Sequence, residues 1–229
     1  MIIPEKKRIF IHIPKTGGSS MAMALANDIG LRVSVKKVSA LPNKGTYKVN
    51  DWQKHMGAPD MLKYGVVDQT TFDNYYKFAI VRNPWDKILS EYYWLKKVGG
   101  SRNQDFKSFL KSFLITKKSI ENDNRQPIKI MPKYPSLMHR KTQKSFVAID
   151  DELILDEVFR FEEFNKIFEY IGLPNKKVNQ SKNSKSKDRV NPFEEDQEAF
   201  DMVAEAYRDD IEYFGFQYQK PATKNVKEL

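Results

Sequence analysis

The stretch IHIPKTGGSSM, residues 11–21, constrains the fold more than any other part of this sequence. An apolar segment, two consecutive glycines and two serines at the start of a helical pattern are typical of a strand, a tight turn and a helix N-terminus. Backbone N–H groups converge at such a helix N-terminus and attract anions. The stretch therefore predicts an anion-binding loop at the end of a buried strand.

The apolar patterns along the chain indicate strands that alternate with helices. Residues 8–13 (RIFIHI) and 78–82 (FAIVR) are continuously apolar rather than alternating, which is typical of buried parallel strands. Helical spacing follows each of them, beginning at Ser19 or Ser20 in the first case and at Pro84 in the second. We therefore predict an α/β fold with a mainly parallel central sheet flanked by helices.

Weaker patterns predict further elements. The sequence indicates strands at residues 31–35 and 157–161 and helices at 105–114 and 163–170. The last strong pattern predicts one helix from residue 194 to about residue 214. Its apolar residues fall on one stripe, which we expect to face the core: Phe200, Val203, Ala204, Tyr207, Ile211 and Phe214.

The size and composition predict a single ordered domain. A chain of 229 residues with 40% hydrophobic residues can bury a sizeable core, and we assign the domain to residues 1–218, followed by a flexible tail at 219–229. No apolar run approaches the ~20 residues of a membrane span, and the N-terminal residues lack the apolar core of a signal peptide. We therefore expect a cytoplasmic protein without a membrane span.

The chain is basic and contains no cysteine. It has 39 Lys and Arg against 30 Asp and Glu, a net charge of +9, which suits a polyanionic ligand or, equally, a lysine-rich solvated surface. The absence of cysteine excludes disulfides, thiolate catalysis and cysteine-ligated zinc. No metal ion is expected, because metal-ligand spacing is missing among the three histidines, which are far apart in the sequence: His12, His55 and His139.

The glycine loop differs from the nucleotide P-loop in the position of its lysine. The P-loop reads G-x-x-x-x-G-K-[ST], with the lysine after the glycines. Here Lys15 precedes Gly17 and Gly18, so an ordinary ATP or GTP hydrolase is disfavoured. The anion cradle is kept, because backbone N–H groups still converge and the hydroxyls of Ser19 and Ser20, together with the lysine, add donors.

Two motifs of this chain resemble those of a known enzyme family. IHIPKTGGSS resembles the 5′-phosphosulfate loop of sulfotransferases, and FAIVRNPWDKILSEYYW is similar to their 3′-phosphate motif. In that motif a strand-end Arg and a Ser eight positions later bind the 3′-phosphate of 3′-phosphoadenosine 5′-phosphosulfate (PAPS). The resemblance implies a P-loop-like sulfotransferase architecture, PAPS as sulfuryl donor, and these donor-binding residues: Lys15, Thr16, Gly17, Gly18, Ser19, Ser20, Arg82 and Ser90.

The resemblance covers most of the chain and implies the catalytic residues. Lys54-His55 precedes the second motif by the distance at which carbohydrate-type sulfotransferases carry a catalytic His, which implies His55 as general base. It also implies that Lys15 stabilises the leaving phosphate, and that the acceptor is a hydroxyl, with a saccharide favoured. Other stretches are similar to the C-terminal half of the family: residues 160–162, 172–174 and 179–181 and the ending YRDDIEYFGF.

Two basic features have open roles. Many family members have NPxxR where this chain has NPWDK, so Lys87 keeps the charge but loses the bidentate geometry of Arg. This departure leaves the salt-bridge role of residue 87 open. The basic loop at residues 182–189 either closes over the 3′-phosphate, meets an anionic acceptor, or is an ordinary solvated loop.

Several aromatic residues also have two interpretations. His12, inside the first strand, is interpreted as structural or as a passive part of the site, and His139 as a weaker candidate for an acceptor-side role. Trp52, Trp85 and Trp94 either stack on adenine or sugar, or pack in the core.

Two other classes of function stay open. A small-nucleotide kinase or NTPase with a degenerate loop would bind ATP in a Mg²⁺-dependent manner. A basic nucleic-acid-binding protein fits the net charge, but the sequence has no recognised binding module, and its affinity would fall steeply with salt. The sulfotransferase interpretation needs no metal ion, because a sulfuryl group carries less charge than a phosphoryl group. It predicts no nucleic-acid partner.

Overall fold

The computed structural model describes residues 1–31, 53–99, 104–121, 135–174 and 191–218. Several features predicted from the sequence lie outside these residues. They are most of the strand predicted at 31–35, Trp52, the basic loop at 182–189, the stretch at 179–181 and the tail at 219–229.

Short strands form a central sheet and a small ribbon. In the described residues the strands are β1 (Ile2–Ile3), β2 (Arg8–Ile11), β3 (Tyr76–Val81), β4 (Ala148–Ile149), β5 (Glu152–Leu153) and β6 (Glu157–Arg160). The central sheet has the order β1-β2-β3-β6, and its three strands β2, β3 and β6 are parallel. Strand β1 is antiparallel to β2, and β4 pairs with β5 in a separate antiparallel ribbon. The predicted α/β class and mainly parallel sheet are confirmed.

Helices connect and flank these strands. In the described ranges the α-helices are α1 (Gly18–Asp28), α2 (Ala58–Lys63), α3 (Gln69–Asn74), α4 (Pro84–Val98), α5 (Phe106–Glu121), α6 (Phe164–Tyr170), α7 (Pro192–Glu195), α8 (Gln197–Ala206) and α9 (Arg208–Phe214). Two 3₁₀ helices, Gln53–His55 and Pro135–Arg140, carry histidines.

The central strands are buried on both faces, as their continuous apolar patterns predict. Side chains of β2 and β3 alternate between two core clusters, because successive residues of a strand point to opposite faces. One cluster contains Ile9, Ile11, Ala79 and Val81. The other contains Phe10, Phe78 and Ile80. A third cluster lies among α4, α5 and α8 and includes Trp85 and Tyr207.

Helix α4 begins as the sequence predicts. The Oδ1 atom of Asn83 accepts a hydrogen bond from the N–H of Trp85 (3.3 Å), Pro84 occupies the first helical position, and Asp86 lies in the first turn. Since β3 ends at Val81, the intervening Arg82 is held at the carboxyl end of a central strand. The local capping signals therefore fix the position of the arginine relative to the sheet.

The single helix predicted from residue 194 to about 214 is wrong. The chain forms three helices there, with breaks at Asp196 (φ −126°, ψ 91°) and Tyr207 (φ −121°, ψ 27°). Asp196 caps α8 by accepting a hydrogen bond from the N–H of Ala199 (3.0 Å). At Tyr207 the N–H still reaches the carbonyl of Val203 (3.0 Å), so the apolar stripe continues through the break. Hydrophobic periodicity cannot detect such a local break.

Candidate functional site

The loop between β2 and α1 has the backbone geometry of an anion cradle. Lys15 (φ 68°) and Gly17 (φ 81°) both adopt left-handed conformations, and α1 begins immediately afterwards at Gly18. The first N–H groups of a helix have no partner inside the helix and are available to an anion. A left-handed backbone is uncommon for a lysine, and such strained residues concentrate at functional sites.

Both glycines of the loop are required by close packing. A Cβ atom at Gly18 would lie 1.9 Å from Cδ2 of His12, far inside any real contact distance. A Cβ atom at Gly17 would lie 2.7 Å from Cε2 of Phe164 and 3.0 Å from Cε2 of Phe161. The absence of side chains therefore lets the loop lie directly against the ring of His12 and against the start of α6.

The three hydroxyl residues of the loop have different environments. Thr16 is fully buried, and its Oγ1 donates a hydrogen bond to the carbonyl oxygen of Ile13 (3.0 Å). The Thr16 hydroxyl thus stabilises the loop itself, and the donor-binding role that the family resemblance implies for Thr16 stays a prediction. Ser19 and Ser20 are half-buried in the first turn of α1, beside the N–H groups that the cradle presents.

Arg82 lies directly beside this loop. Its Nη1 donates to the carbonyl oxygen of Lys15 (3.3 Å), and its guanidinium lies 4.2 Å from the ring centroid of Phe161. Burial lowers the pKa of Arg82, and the carboxylates of Asp86 and Glu162 oppose this effect. Its Nε is buried and has no hydrogen-bond partner in the part of the chain that the structure describes. The structure thus brings together the two motifs that the sequence separates.

Ser90 lies on α4, about two helical turns after Arg82, and is half-buried. The segment 160–162 also reaches this region: Oε1 of Glu162 accepts a hydrogen bond from the N–H of Asn83 (3.2 Å), and Phe161 packs under the guanidinium of Arg82. The donor-binding roles of the loop residues, Arg82 and Ser90 stay predictions. The loop follows the carboxyl end of β2, and Arg82 follows the carboxyl end of the neighbouring strand β3.

The backbone of Arg82 is held by a residue that the sequence did not single out. Gln143 accepts a hydrogen bond from the Arg82 N–H (2.9 Å) and donates one to the Arg82 carbonyl oxygen (2.8 Å). Gln143 is itself fixed by Asp210, whose Oδ2 accepts from the Gln143 N–H (2.8 Å). These contacts join residues far apart in the sequence, so only the tertiary structure reveals them.

We expect Gln143→Ala to lower the free energy of unfolding by about 2–6 kcal/mol, since both backbone groups of Arg82 lose their partner and each unsatisfied buried group costs about 1–3 kcal/mol. Urea unfolding measures this change. The matched control is Gln69→Ala, which removes an exposed side-chain hydrogen bond to Asp73 (2.8 Å) and should change stability by less than about 0.5 kcal/mol. Equal effects of the two substitutions would contradict the anchoring role of Gln143.

All three histidines of the chain meet in one row. The ring centroids of His12 and His55 are 4.5 Å apart, and those of His55 and His139 are 5.3 Å apart. Because the three residues are far apart along the chain, local spacing does not predict this row. No group of three or more His, Asp or Glu residues in the described ranges is arranged to hold a metal ion.

His55 is a neutral imidazole with a defined tautomer. Its Nδ1 lies 3.0 Å from the carbonyl oxygen of His12, and because a carbonyl only accepts, Nδ1 carries the proton. The lone pair is then on Nε2. Burial, together with the proximity of His139, lowers the pKa of His55 to about 3. Burial likewise lowers the pKa of His12 well below its ordinary value.

Lys15 presents a partly buried ammonium group to the same region. Its Nζ lies 4.8 Å from the ring centroid of Trp94. Burial lowers the pKa of Lys15 to about 8, and the carboxylate of Glu91 opposes this effect. A cation that is poorly solvated in the free protein binds an anion more strongly than an exposed one does.

Glu91 and Lys87, one turn apart on α4, hold the third histidine. The Nδ1 of His139 lies 2.8 Å from Oε2 of Glu91, and Nζ of Lys87 donates to the carbonyl oxygen of His139 (3.0 Å). Lys87 is only 2% exposed and also lies over the ring of Tyr207 (5.4 Å). Lys87, which stands where the NPxxR motif has an arginine, therefore anchors the 3₁₀ helix Pro135–Arg140.

The two tryptophans in the described residues differ in exposure and in surroundings. Trp85 belongs to the core, where its ring stacks on Phe200 with a centroid distance of 4.9 Å. Trp94 is 39% exposed and contacts both Lys15 and His139. Glu91 was not predicted as a site residue, although a carboxylate next to Ser90 on the inward-facing side of a helix was a usable signal.

A comparison with known protein families agrees with this geometry. The sequence profile of the sulfotransferase family matches residues 1–217, which is nearly the whole chain. The chain therefore belongs to the sulfotransferase family. It is accordingly a PAPS-dependent enzyme that transfers a sulfuryl group to a hydroxyl-bearing acceptor. Searches of curated proteins and of solved structures gave no match. Within the described residues, no helix is both long and apolar enough to cross a bilayer.

Proposed function

We propose that this enzyme transfers the sulfuryl group of PAPS to a saccharide hydroxyl, with His55 as general base and Lys15 stabilising the departing phosphate. The observation that carries the proposal is the orientation of His55. Its Nδ1–H is bound to the carbonyl of His12, two residues before the Pro14 that opens the lysine loop, so a neutral Nε2 is available next to the cradle.

The donor site is proposed from the two motifs that meet at the sheet edge. The cradle of Lys15, Gly17, Gly18 and the two serines would hold the 5′-phosphosulfate, and Arg82 with Ser90 would hold the 3′-phosphate. Support comes from the buried Nε of Arg82, which has no hydrogen-bond partner among the described residues, and from the left-handed backbone of Lys15 and Gly17, which leads into the N-terminus of α1. When bound, PAPS supplies a sulfuryl group whose leaving group is a stable phosphate.

His55 acts on the proton of the acceptor hydroxyl. As the acceptor oxygen forms its bond to sulfur, the O–H proton passes to Nε2 of His55, and the S–O bond to the phosphate breaks with its electron pair on the phosphate oxygen. General-base help of this kind contributes ~10²–10⁴ in rate. The imidazolium that forms is stabilised by the His12 carbonyl, because Nδ1–H already donates to it at 3.0 Å.

Lys15 stabilises the negative charge that develops on the departing phosphate. A preorganised cation in a partly desolvated site is effective in this role, because it needs little reorganisation during the reaction. Glu91, through its attraction to Lys15, helps to keep the ammonium protonated against the effect of burial. No metal ion is needed for this charge stabilisation.

The activity should depend on pH in a way set by these two groups. Since the pKa of His55 is lowered to about 3, the base stays neutral in mild acid and kcat/KM should be flat down to about pH 4. Since the pKa of Lys15 is lowered to about 8, its charge is lost as the pH rises through this value, and kcat/KM should fall there. Lys15→Arg keeps the charge and should remove the alkaline decline. A decline below neutral pH would contradict the assignment of His55, and an alkaline decline that Lys15→Arg leaves unchanged would contradict that of Lys15.

Thermal unfolding tests the donor site directly. We expect 3′-phosphoadenosine 5′-phosphate (PAP), the product, at about 100 times its dissociation constant to add roughly 2.7 kcal/mol, a shift of roughly 5–10 °C for a chain of this size. AMP should shift the midpoint much less, and added Mg²⁺ should not be required. A clear shift with Mg²⁺-ATP but none with PAP would favour a small-nucleotide kinase instead.

A further inference from the structure

Trp94 is an exposed aromatic side chain at the catalytic end of the site. It lies on α4 one turn after Ser90, and 39% of its surface is exposed. The Lys15 ammonium lies 4.8 Å from its ring centroid, and the ring of His139 is 5.6 Å away with an interplanar angle of 36°. Unlike Trp85, this tryptophan is not needed to complete a core cluster, so its position calls for another explanation.

His139 is held in a defined orientation beside Trp94. Glu91 fixes its Nδ1, and Lys87 fixes its backbone carbonyl. Burial alone would raise the pKa of Glu91, but the hydrogen bond from His139 and the charges of Lys15 and Lys87 lower it overall, so Glu91 is a carboxylate. Nδ1 therefore carries a proton, and Nε2 is left for a ligand.

The Nε2 atom of His139 is suited to a hydroxyl group in either protonation state of the ring. In a neutral ring Nε2 accepts a hydrogen bond, and in a charged ring it donates one. A hydroxyl can do both. Because the ring of His139 lies 5.3 Å from that of His55, a hydroxyl bound here would be close to the one that reacts.

We propose that Trp94 and His139 form the acceptor subsite of this enzyme, and that it binds a pyranose ring. Trp94 contacts the apolar face of the sugar, and His139 binds a hydroxyl next to the reacting one. This inference rests on the proposed saccharide transfer and adds the residues that recognise the acceptor.

The contacts of Trp94 favour the acceptor over the adenine of the donor. Its neighbours are Lys15 and His139, which flank the catalytic His55. The guanidinium of Arg82, which would mark the 3′-phosphate, lies instead against Phe161, at 4.2 Å from the ring centroid. A ring stacked on Trp94 is therefore placed at the sulfuryl end of the site.

The polar groups around Trp94 favour a sugar over an apolar acceptor. A phenol or another flat apolar molecule would cover the indole but would leave Nε2 of His139 without a partner, which is costly in a partly buried site. A pyranose has an apolar face for the indole and hydroxyls along its edge for the imidazole. The exposed ring of Trp94 therefore matches the apolar face of a pyranose, and the oriented imidazole of His139 matches one of its hydroxyls.

Kinetics with defined acceptors test the subsite. PAP release from PAPS is measured with cellobiose, lactose, chitobiose and a hyaluronan tetrasaccharide, and with p-nitrophenol as the non-saccharide. With the best saccharide, Trp94→Ala should raise KM about tenfold, the value of one aromatic contact, with kcat changed less than about threefold. The matched control is Val98→Ala, which truncates a 56% exposed side chain on the same helix and should leave KM unchanged.

A second readout does not depend on turnover. The chain contains only three histidines, so its imidazole NMR signals are few and assignable through His139→Gln and His12→Gln. In the PAP complex, the best saccharide should shift the Nε2 signal of His139. Trp94→Ala should raise the saccharide dissociation constant obtained from this titration about tenfold.

The outcomes separate the subsite from the proposed function. If PAP does not bind, the proposed function fails. If PAP binds and a saccharide is sulfated, but Trp94→Ala keeps KM within twofold of the wild type, the subsite is wrong and the proposed function stands. Turnover of p-nitrophenol without any saccharide, or PAP binding without turnover of any acceptor, overturns the pyranose assignment.

Discussion

Replacement of His55 by alanine is expected to abolish most sulfuryl transfer, with a loss of about 10²–10⁴-fold in kcat, while PAP affinity stays within about twofold. The reason is that Nε2 of His55 takes the acceptor proton, whereas the donor is held by the cradle and by Arg82. Turnover is measured by PAP release, and PAP binding by calorimetry.

Chemical rescue distinguishes a base from a structural residue at position 55. If the alanine variant lacks only the base, added imidazole should restore part of its activity, and the restored rate should rise with imidazole concentration. The variant also loses the 3.0 Å hydrogen bond to the His12 carbonyl, so its melting temperature is measured in parallel. Turnover close to that of the wild type would remove His55 from the mechanism.

Arg82→Ala should weaken PAP binding by about 1.5–3 kcal/mol, which corresponds to roughly 10–150-fold in dissociation constant. The guanidinium is buried beside the loop, with an Nε that has no partner among the described residues, so it has bonding capacity to offer a phosphate. The hydrogen bonds of Gln143 go to the backbone of Arg82, and the substitution should leave them in place.

AMP provides the internal control for this substitution. It lacks the 3′-phosphate, so Arg82→Ala should change AMP affinity much less than PAP affinity, and the preference of the wild type for PAP should largely disappear. Arg82→Lys keeps the charge without the bidentate geometry and should give an intermediate loss. Equal losses for PAP and AMP would show that Arg82 supports the loop rather than the 3′-phosphate.

The elements that carry the two motifs could be predicted from the sequence because local interactions determine them. The glycines after β2 allow the left-handed turn into α1, and Asn83 with Pro84 fixes the start of α4. The break of the C-terminal helix at Tyr207 could not be predicted, because the hydrogen bond to Val203 and the apolar stripe both persist through it.

The polar residues that hold Arg82 and His139 in place could not be predicted from the sequence. Gln143 and Glu91 are polar residues without a motif, and their roles come from contacts to Arg82 and His139, which lie 61 and 48 residues away in the sequence. The role of Lys87 is similar, because its hydrogen bond goes to the carbonyl of His139, 52 residues away. Nothing in local spacing predicts which distant backbone group a buried polar side chain will meet.

The sequence by itself determined the α/β class, the anion-binding loop, the order of the two motifs and the family, since these depend on short segments with their own turn and cap chemistry. The tertiary structure decided that His12, His55 and His139 form one row, that Glu91 orients its end, and that Trp94 rather than Trp85 reaches the site. The physical reason is that His55, His139 and Glu91 lie on separate helices, whose packing depends on contacts between residues far apart in the sequence and not on local turn or cap chemistry.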